Sequence, residues 1–331
     1  MAEPDLDGNG SRTAVWAALI GNVLVATTKA GAAAFTGSSA MLSEAVHSFV
    51  DTGNEVLLLY GMRVARKRPD RDHPVGYGRE LYFWSFIVAL LVFALGAGVS
   101  IYQGVHRVLN PQPIEHAMVS ELVLAASFLF EGWSWVVSLR QFNKVKGPLG
   151  WYEAFRKSKD PPLFMVLFED SAALIGIAIA AVGIALGANF DLPLADGISS
   201  ILIGLVLACT STLLARESKS LLIGEKADSA LVASILAIAN GACGASRANG
   251  VLTIQLAPDQ IMAAMSFEFD DALTAPQIEQ MVADIERRIH AAHPEVTSLF
   301  IKPQNPQQYA RTVRDKFGEN AAEATQAPVT R

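Results

Sequence analysis

The chain has 331 residues, of which 51% are hydrophobic and only 18% charged; 26 Lys and Arg stand against 32 Asp and Glu, for a net charge of −6. A soluble domain carries about 25% charge, so this deficit and a mean hydropathy of +0.32 exclude an ordinary soluble enzyme. The mild acidity leaves no basic footprint for nucleic acid, and two cysteines, Cys209 and Cys243, are too few for a disulfide framework or a thiolate metal site.

In chain order, residues 1–12 are acidic and Gly-rich, lack the basic segment and apolar run of a cleaved signal peptide, and are expected to be disordered. Apolar stretches of roughly 20 residues, the length that crosses a bilayer, follow near 14–35, 41–62, 82–107, 117–139, 163–187 and 193–214. A six-span membrane domain over 13–216 is therefore predicted. The loop at 63–80 holds Arg63, Arg66, Lys67, Arg68, Arg71 and Arg79, and that at 140–162 holds Arg140, Lys144, Lys146, Arg156, Lys157 and Lys159. The opposite loops at 36–40, 108–116 and 188–192 contain no Lys or Arg. The positive-inside rule then places both termini in the cytoplasm. With no targeting segment read at the N-terminus, the expectation is a multi-pass protein of the cell (inner) membrane.

After Glu217 the composition becomes that of a soluble domain. Residues 227–240 read as a helix stopped by Gly241, and 250–256 and 261–269 as strands. A second helix starts at Thr274, an N-cap with Gln277 three residues on, and buries Ile278, Met281, Val282, Ile285 and Ile289 at helical spacing. A third strand follows at 297–302. This α-β-β-α-β unit over 217–303 predicts a two-layer α+β domain. Residues 304–331 are polar and rich in Gln, Ala and Pro, and read as a disordered tail.

The second span contains Glu44, His47, Asp51 and Glu55. Each charge at bilayer depth costs about 2.5–3.5 kcal/mol on insertion scales, so something must coordinate, protonate or pair them. His47 and Asp51 are four residues apart and share a helical face, with Asn54 and Glu55 one turn further on. The fifth span supplies Glu169 and Asp170, about 100° apart around a helix, so one of the two is expected to face the same cavity. One imidazole and two carboxylates from two helices suit a divalent ion such as zinc. The same groups bind protons, so metal and proton compete, which is the physical basis of antiport. Glu44, Glu55, Lys29, Glu121, Glu131 and Asp196 read first as polar glue between helices, and Asn22 and Asn54 either line the cavity or bond across helices. An intramembrane metalloenzyme would need a motif such as His-Glu-x-x-His, which is absent. An organic-cation exporter would need no histidine, and a non-transporting metal-sensing subunit of the same fold is separated only by a flux assay.

The run SSAMLSEAVHSFVD (38–51) and the following DRDHPVGYGRELYFW (70–84) resemble the cation diffusion facilitator (solute carrier 30 type) family of zinc and related divalent-metal transporters. The similarity extends from about residue 13 to 303. It implies an α-helical membrane protein of six transmembrane helices followed by a small cytoplasmic ferredoxin-like α+β domain. It also implies a homodimer in the lipid bilayer that exchanges metal for protons by alternating access. The transport site would map onto His47, Asp51 and Asp170, with zinc or a similar divalent cation as substrate and no resident cofactor. Val166 stands four residues before Asp170, where many zinc members carry His or Asp, which leaves Asn54, Glu169 or water to complete the shell. Asp70 and His73 match two positions of the family's accessory metal site, but Tyr77 stands where a second His would be. The last domain has His290 and His293, with Ser266 and Lys302 at strand positions where metal-binding members place ligands, and so is expected to dimerise by packing. With the fifth-span Glu-Asp pair, these departures are similar to the branch containing the animal mitochondrial zinc exporter.

Overall fold

The computed structural model describes residues 8–318 apart from 113–115, 147, 149, 191 and 242–245, with side chains from Asn22 onward except at 145, 152, 157 and 317. The chain divides into two units, one running to Val64 and resuming over Glu80–Lys219, the other made of Ala65–Arg79 and the residues from Ser220.

The first unit is helical. Helices α1 (Gly8–Thr36) and α2 (Ser39–Ala65) meet at Gly37, whose φ of 67° is a conformation that glycine adopts without steric penalty. Helix α3 (Glu80–Leu91) passes through a π-helical stretch, Val92–Ala97, into α4 (Gly98–Leu109). Then come α5 (Ala117–Lys146), the short α6 (Trp151–Lys157), α7 (Pro161–Asn189) and α8 (Leu194–Ile223). Among the described residues, four stretches are long and apolar enough to cross a membrane: Glu80–Leu109, Ala117–Lys144, Pro161–Asn189 and Leu194–Ile223. Helices α1 and α2, of 29 and 27 residues, are as long. Composition separates α2 from those four, because Glu44, His47, Asp51, Glu55 and Arg63 interrupt its apolar character.

Two apolar layers enclose a polar one. One layer contains Ala33, Met41, Leu124, Ala172 and Ile177, the other Leu58, Phe142, Phe164, Met165 and Leu167. Between these positions along α2, α5 and α7 lie His47, Asp51, Glu131, Ser134, Glu169 and Asp170. Helices α4 and α8 approach backbone to backbone: a Cβ on Gly104 would lie 2.7 Å from the Gly197 carbonyl oxygen, and one on Gly204 3.0 Å from the Ile101 nitrogen. Small residues allow such close packing where no hydrophobic drive holds helices together.

In the second unit, α9 (Ser229–Asn240) is capped by Asp228, whose side chain accepts the Ala230 N–H at 2.7 Å, and ends at Gly241. Strands β1 (Arg247–Ala257), β2 (Gln260–Glu268) and β3 (Val296–Pro303) form a sheet of order β1-β2-β3, antiparallel then parallel. The parallel crossover is α10 (Ala275–Ala292), at whose start Gln277 Oε1 accepts the Thr274 N–H at 2.8 Å. Ile285 and Ile289 are buried with Ile235, Ala263, Met265 and Phe267. The α-β-β-α-β order is the one read from the sequence. The Ala65–Arg79 segment packs here too, since a Cβ on Gly78 would lie 2.8 Å from Ala257 Cβ.

Two expectations change. Residues 306–317 are helical, as α11 (Pro306–Phe317), rather than part of a disordered tail. Asn305 Oδ1 accepts the Gln308 N–H at 2.8 Å, Pro306 opens the first turn, and Val313 is buried. A polar, Gln-rich composition conceals a helix that needs only one narrow apolar edge to dock. Residues 8–12 likewise belong to α1 rather than to a disordered N-terminus. The rest of both predicted disordered segments, 1–7 and 319–331, lies outside the described residues, as does Cys243.

Candidate functional site

Four helices bring polar side chains to a cavity of about 50 Å³, enough for an ion with a water or two. From α2 come Asp51 and Glu55, from α5 Glu131 and Ser134, from α7 Val166, Glu169 and Asp170, and from α1 Asn22. Helical periodicity puts His47 one turn before Asp51, and His47 Nδ1 stands 3.2 Å from Asp51 Oδ1. The imidazole is 1% exposed, and neither ring nitrogen makes a well-directed hydrogen bond. Buried polar atoms are almost always satisfied, so an unpaired imidazole beside a carboxylate is a site ready for a Lewis acid or a proton.

Glu169 and Asp170 both line this cavity, although their angular separation predicts that only one would. The cavity lies between α2 and α5, so a helix facing it presents adjacent positions to different walls. Glu169 Oε1 accepts from Asn54 Nδ2 of α2 at 3.0 Å. Asp170 Oδ2 accepts from Ser134 and Ser138 of α5 at 3.0 and 3.1 Å. Asn54, read as either a cavity or a bridging residue, is thus a bridge whose Oδ1 is buried without a hydrogen-bond partner. Val166 forms an apolar wall where a fourth ligand could have stood.

The structure therefore pairs His47 with Asp51 and sets Asp170 on the same cavity. Among the described residues, no three His, Cys, Asp or Glu side chains stand close enough together to hold a metal ion. Asp170 is turned to its serines, and a single coordination sphere requires it to swing off them. Sequence reasoning missed Ser134 and Ser138. Their signal was available: two hydroxyls four residues apart, with Glu131 three residues before the first, on one face of an apolar span.

Lys29, Glu44, Glu55, Glu131 and Asp196 are paired, as their reading as helix glue anticipates, whereas Glu121 is exposed. Lys29 Nζ donates to Ser48 Oγ at 2.8 Å and lies 3.3 Å from Glu44 and 3.8 Å from Glu131. Asn22 Nδ2 donates to Glu55 at 2.7 Å. Asp196 is fully buried and accepts from Ser38 Oγ, Ser39 N, Ser39 Oγ and Ala40 N at 2.5–3.2 Å, with Arg107 Nε at 3.3 Å. One carboxylate of α8 thereby caps the first turn of α2.

In the 65–79 segment, Asp70 accepts the backbone N–H groups of Asp72 and His73 and the Tyr77 hydroxyl, the last at 2.6 Å. These bonds, Tyr77's first, hold the Asp70 carboxyl below its usual range. His73 Nδ1 is 3.5 Å from Asp70, and its ring lies against Tyr77 at 4.2 Å between centroids. Asp70 and His73 do come together, with Tyr77 closing the group on the third side. In the C-terminal sheet, Ser266 is buried, accepts from Asn249 at 3.2 Å and donates to Gln304 at 3.0 Å, while Lys302 is exposed. His293 bonds Ser234 at 2.7 Å, and His290 Nδ1 lies 3.2 Å from the Val296 carbonyl oxygen.

Long apolar helices around a buried, carboxylate-lined cavity define a multi-pass membrane protein with titratable groups gathered in its interior. Residues 15–223 match the cation efflux transmembrane domain, and the chain belongs to that family, whose members are transporters rather than enzymes. It is 37% identical over 193 residues to the mitochondrial proton-coupled zinc antiporter SLC30A9 of Xenopus laevis, covering 57% of this chain and 34% of that protein. The human protein of the same name is matched to the same extent. Metal tolerance protein C4 of Arabidopsis thaliana is 32% identical over 234 residues, 70% of this chain and 51% of that protein. The chain thus spans about a third to a half of the length of these relatives. They agree with the branch to which the Glu169–Asp170 pair pointed.

Proposed function

We propose that the protein exports a divalent metal ion, zinc foremost, in exchange for protons, by alternating access across a six-span domain. The observation that carries this reading is one small cavity between two apolar layers that is lined by both Asp170 and Asp51, with His47 3.2 Å behind Asp51. His47, Asp51 and Asp170 are the proposed ligands, with Glu169 or Asn54 completing the shell as Asp170 leaves its serines. Metal and protons compete for the same lone pairs, so an imposed proton gradient drives metal the other way. The names of the animal relatives, proton-coupled zinc antiporters, support both the coupling and the ion.

On this reading α1 and α2 join the four apolar stretches as spans, over residues 13–216. The basic loops lie on the cytoplasmic side of a cell (inner) membrane with both termini, and the domain over 217–303 serves a homodimer. Imidazole with carboxylates favours zinc over the organic-cation alternative, which has no use for His47. Zinc uptake into proteoliposomes under a pH gradient tests the proposal. Asp51→Asn and Asp170→Asn are expected to reduce flux to background, and His47→Ala to reorder a panel of Zn²⁺, Mn²⁺, Cd²⁺ and Co²⁺. Wild-type flux in both carboxylate variants would overturn the assignment.

A further inference from the structure

Lys29 is a cation buried between carboxylates of α2 and α5. It is 0% exposed, hydrogen-bonded to Ser48 Oγ, and shared between Glu44, itself 0% exposed, and Glu131, 16% exposed. Glu131 also lines the cavity of Asp51 and Asp170. Glu44 has no such access: it abuts Gly176 of α7, and its Oε1 is buried without a hydrogen-bond partner. The two carboxylates therefore depend on Lys29 in different ways. Losing the ammonium leaves Glu44 buried without its cation, whereas Glu131 can turn to a cation in the cavity.

We propose that Lys29 determines metal specificity: by engaging Glu131 at the cavity wall, its ammonium keeps that carboxylate from the transported ion. The ion then meets one imidazole with a limited set of carboxylates. This rests on the reading of the cavity as the transport site. Imidazole suits zinc, whereas carboxylate oxygens suit manganese, so each carboxylate added to the shell favours manganese. A fixed positive charge one carboxylate away also opposes any divalent ion, and that effect is common to all metals. The distinguishing readout is consequently the ratio of affinities rather than either affinity alone.

The experiment is calorimetric titration of the full-length protein in lipid nanodiscs with Zn²⁺ and with Mn²⁺. Lys29→Met keeps the chain length and removes the charge; it is expected to shift the ratio toward Mn²⁺ by about tenfold or more. Adding Glu131→Gln to it is expected to restore the wild-type ratio, because the released ligand is gone. Glu131→Gln alone, which preserves size, is expected to lower both affinities together, because Lys29 loses a carboxylate that offsets its charge, and to leave their ratio at the wild-type value. An unchanged ratio in folded Lys29→Met overturns the proposal, as does a shifted ratio in Glu131→Gln alone. If Lys29→Met does not fold, the Glu131→Gln result decides by itself. Asp51→Asn is the control for the site: wild-type zinc affinity there refutes the cavity as the transport site, whatever Lys29 does.

Discussion

Asp196→Ala removes a buried carboxylate that ties the start of α2 to α8 and α4. The carboxylate accepts two backbone N–H groups, of Ser39 and Ala40, and two hydroxyls, of Ser38 and Ser39, and it faces Arg107 Nε at 3.3 Å. Removing a helix cap costs about 0.5–2 kcal/mol, and breaking a buried ion pair by removing one partner costs about 3–5 kcal/mol. The same oxygens serve both roles, so the losses overlap and the total is about 4 kcal/mol. Arg107 adds to the penalty, because its Nη2 is already buried without a partner and its side chain is only 9% exposed. At about 2–4 °C per kcal/mol for a protein of this size, Tm is expected to fall by about 8–16 °C. Asp196→Asn keeps one acceptor oxygen and is expected to lose about half as much. Thermal unfolding in one detergent, followed by intrinsic tryptophan fluorescence, measures both. A Tm for Asp196→Ala within about 2 °C of wild type would show that the pair and the cap carry no stability and refute the reasoning. Arg107→Met combined with Asp196→Leu should recover much of the loss, since a buried pair replaced by apolar groups is often neutral.

Ser134→Ala with Ser138→Ala takes both donors from Asp170 Oδ2, bonds that the carboxylate has to leave before it joins a coordination sphere. Zinc affinity by calorimetry is expected to rise by about tenfold or more, since hydrogen bonds to a charged group worth about 1.5–3 kcal/mol no longer compete with the metal, and a fall would refute the swing of Asp170. Gly250→Val forces its side chain into the Tyr309 hydroxyl, so α11 should undock and hydrogen exchange over residues 306–317 should accelerate while the β2–β3 ladder stays protected. Tyr77→Phe removes the strongest of the bonds that depress Asp70, so the Asp70 titration should move up toward the ordinary value of 3.8, read by carbon NMR of labelled aspartate. Because that carboxyl is held low in the folded protein, its contribution to the loop is present above about pH 3.8 and is lost as pH falls further. The variant's loop should then be less sensitive to acid than the wild type's.

Much of the candidate site was legible because helical spacing is rigid. His47 and Asp51 four residues apart have to share a face, and a span carrying four ionisable groups has to turn them inward. Ser134 and Ser138 escaped notice since serine is tolerated throughout apolar helices, and only a carboxylate opposite them gives the spacing meaning. Helix α11 escaped because its segment is almost wholly polar, and its order rests on a cap at Asn305 and on Tyr309 and Val313 packing against residues distant in sequence. The start of α1 at Gly8 was missed for a related reason, since Gly and Asn give no local helix signal.

The sequence by itself determined the long apolar helices, the basic loops between them, the α-β-β-α-β order of the C-terminal domain and the face of α2 that bears the charges. These follow from periodicity and composition, which act over a few residues. Tertiary structure alone decided that Glu169 and Asp170 both reach the cavity, that Lys29 is divided between Glu44 and Glu131, and that Asp196 caps a helix more than 150 residues before it. Such pairings depend on which helices lie side by side, and a buried charge takes whatever partner the packing brings within reach because the apolar surroundings offer it no other.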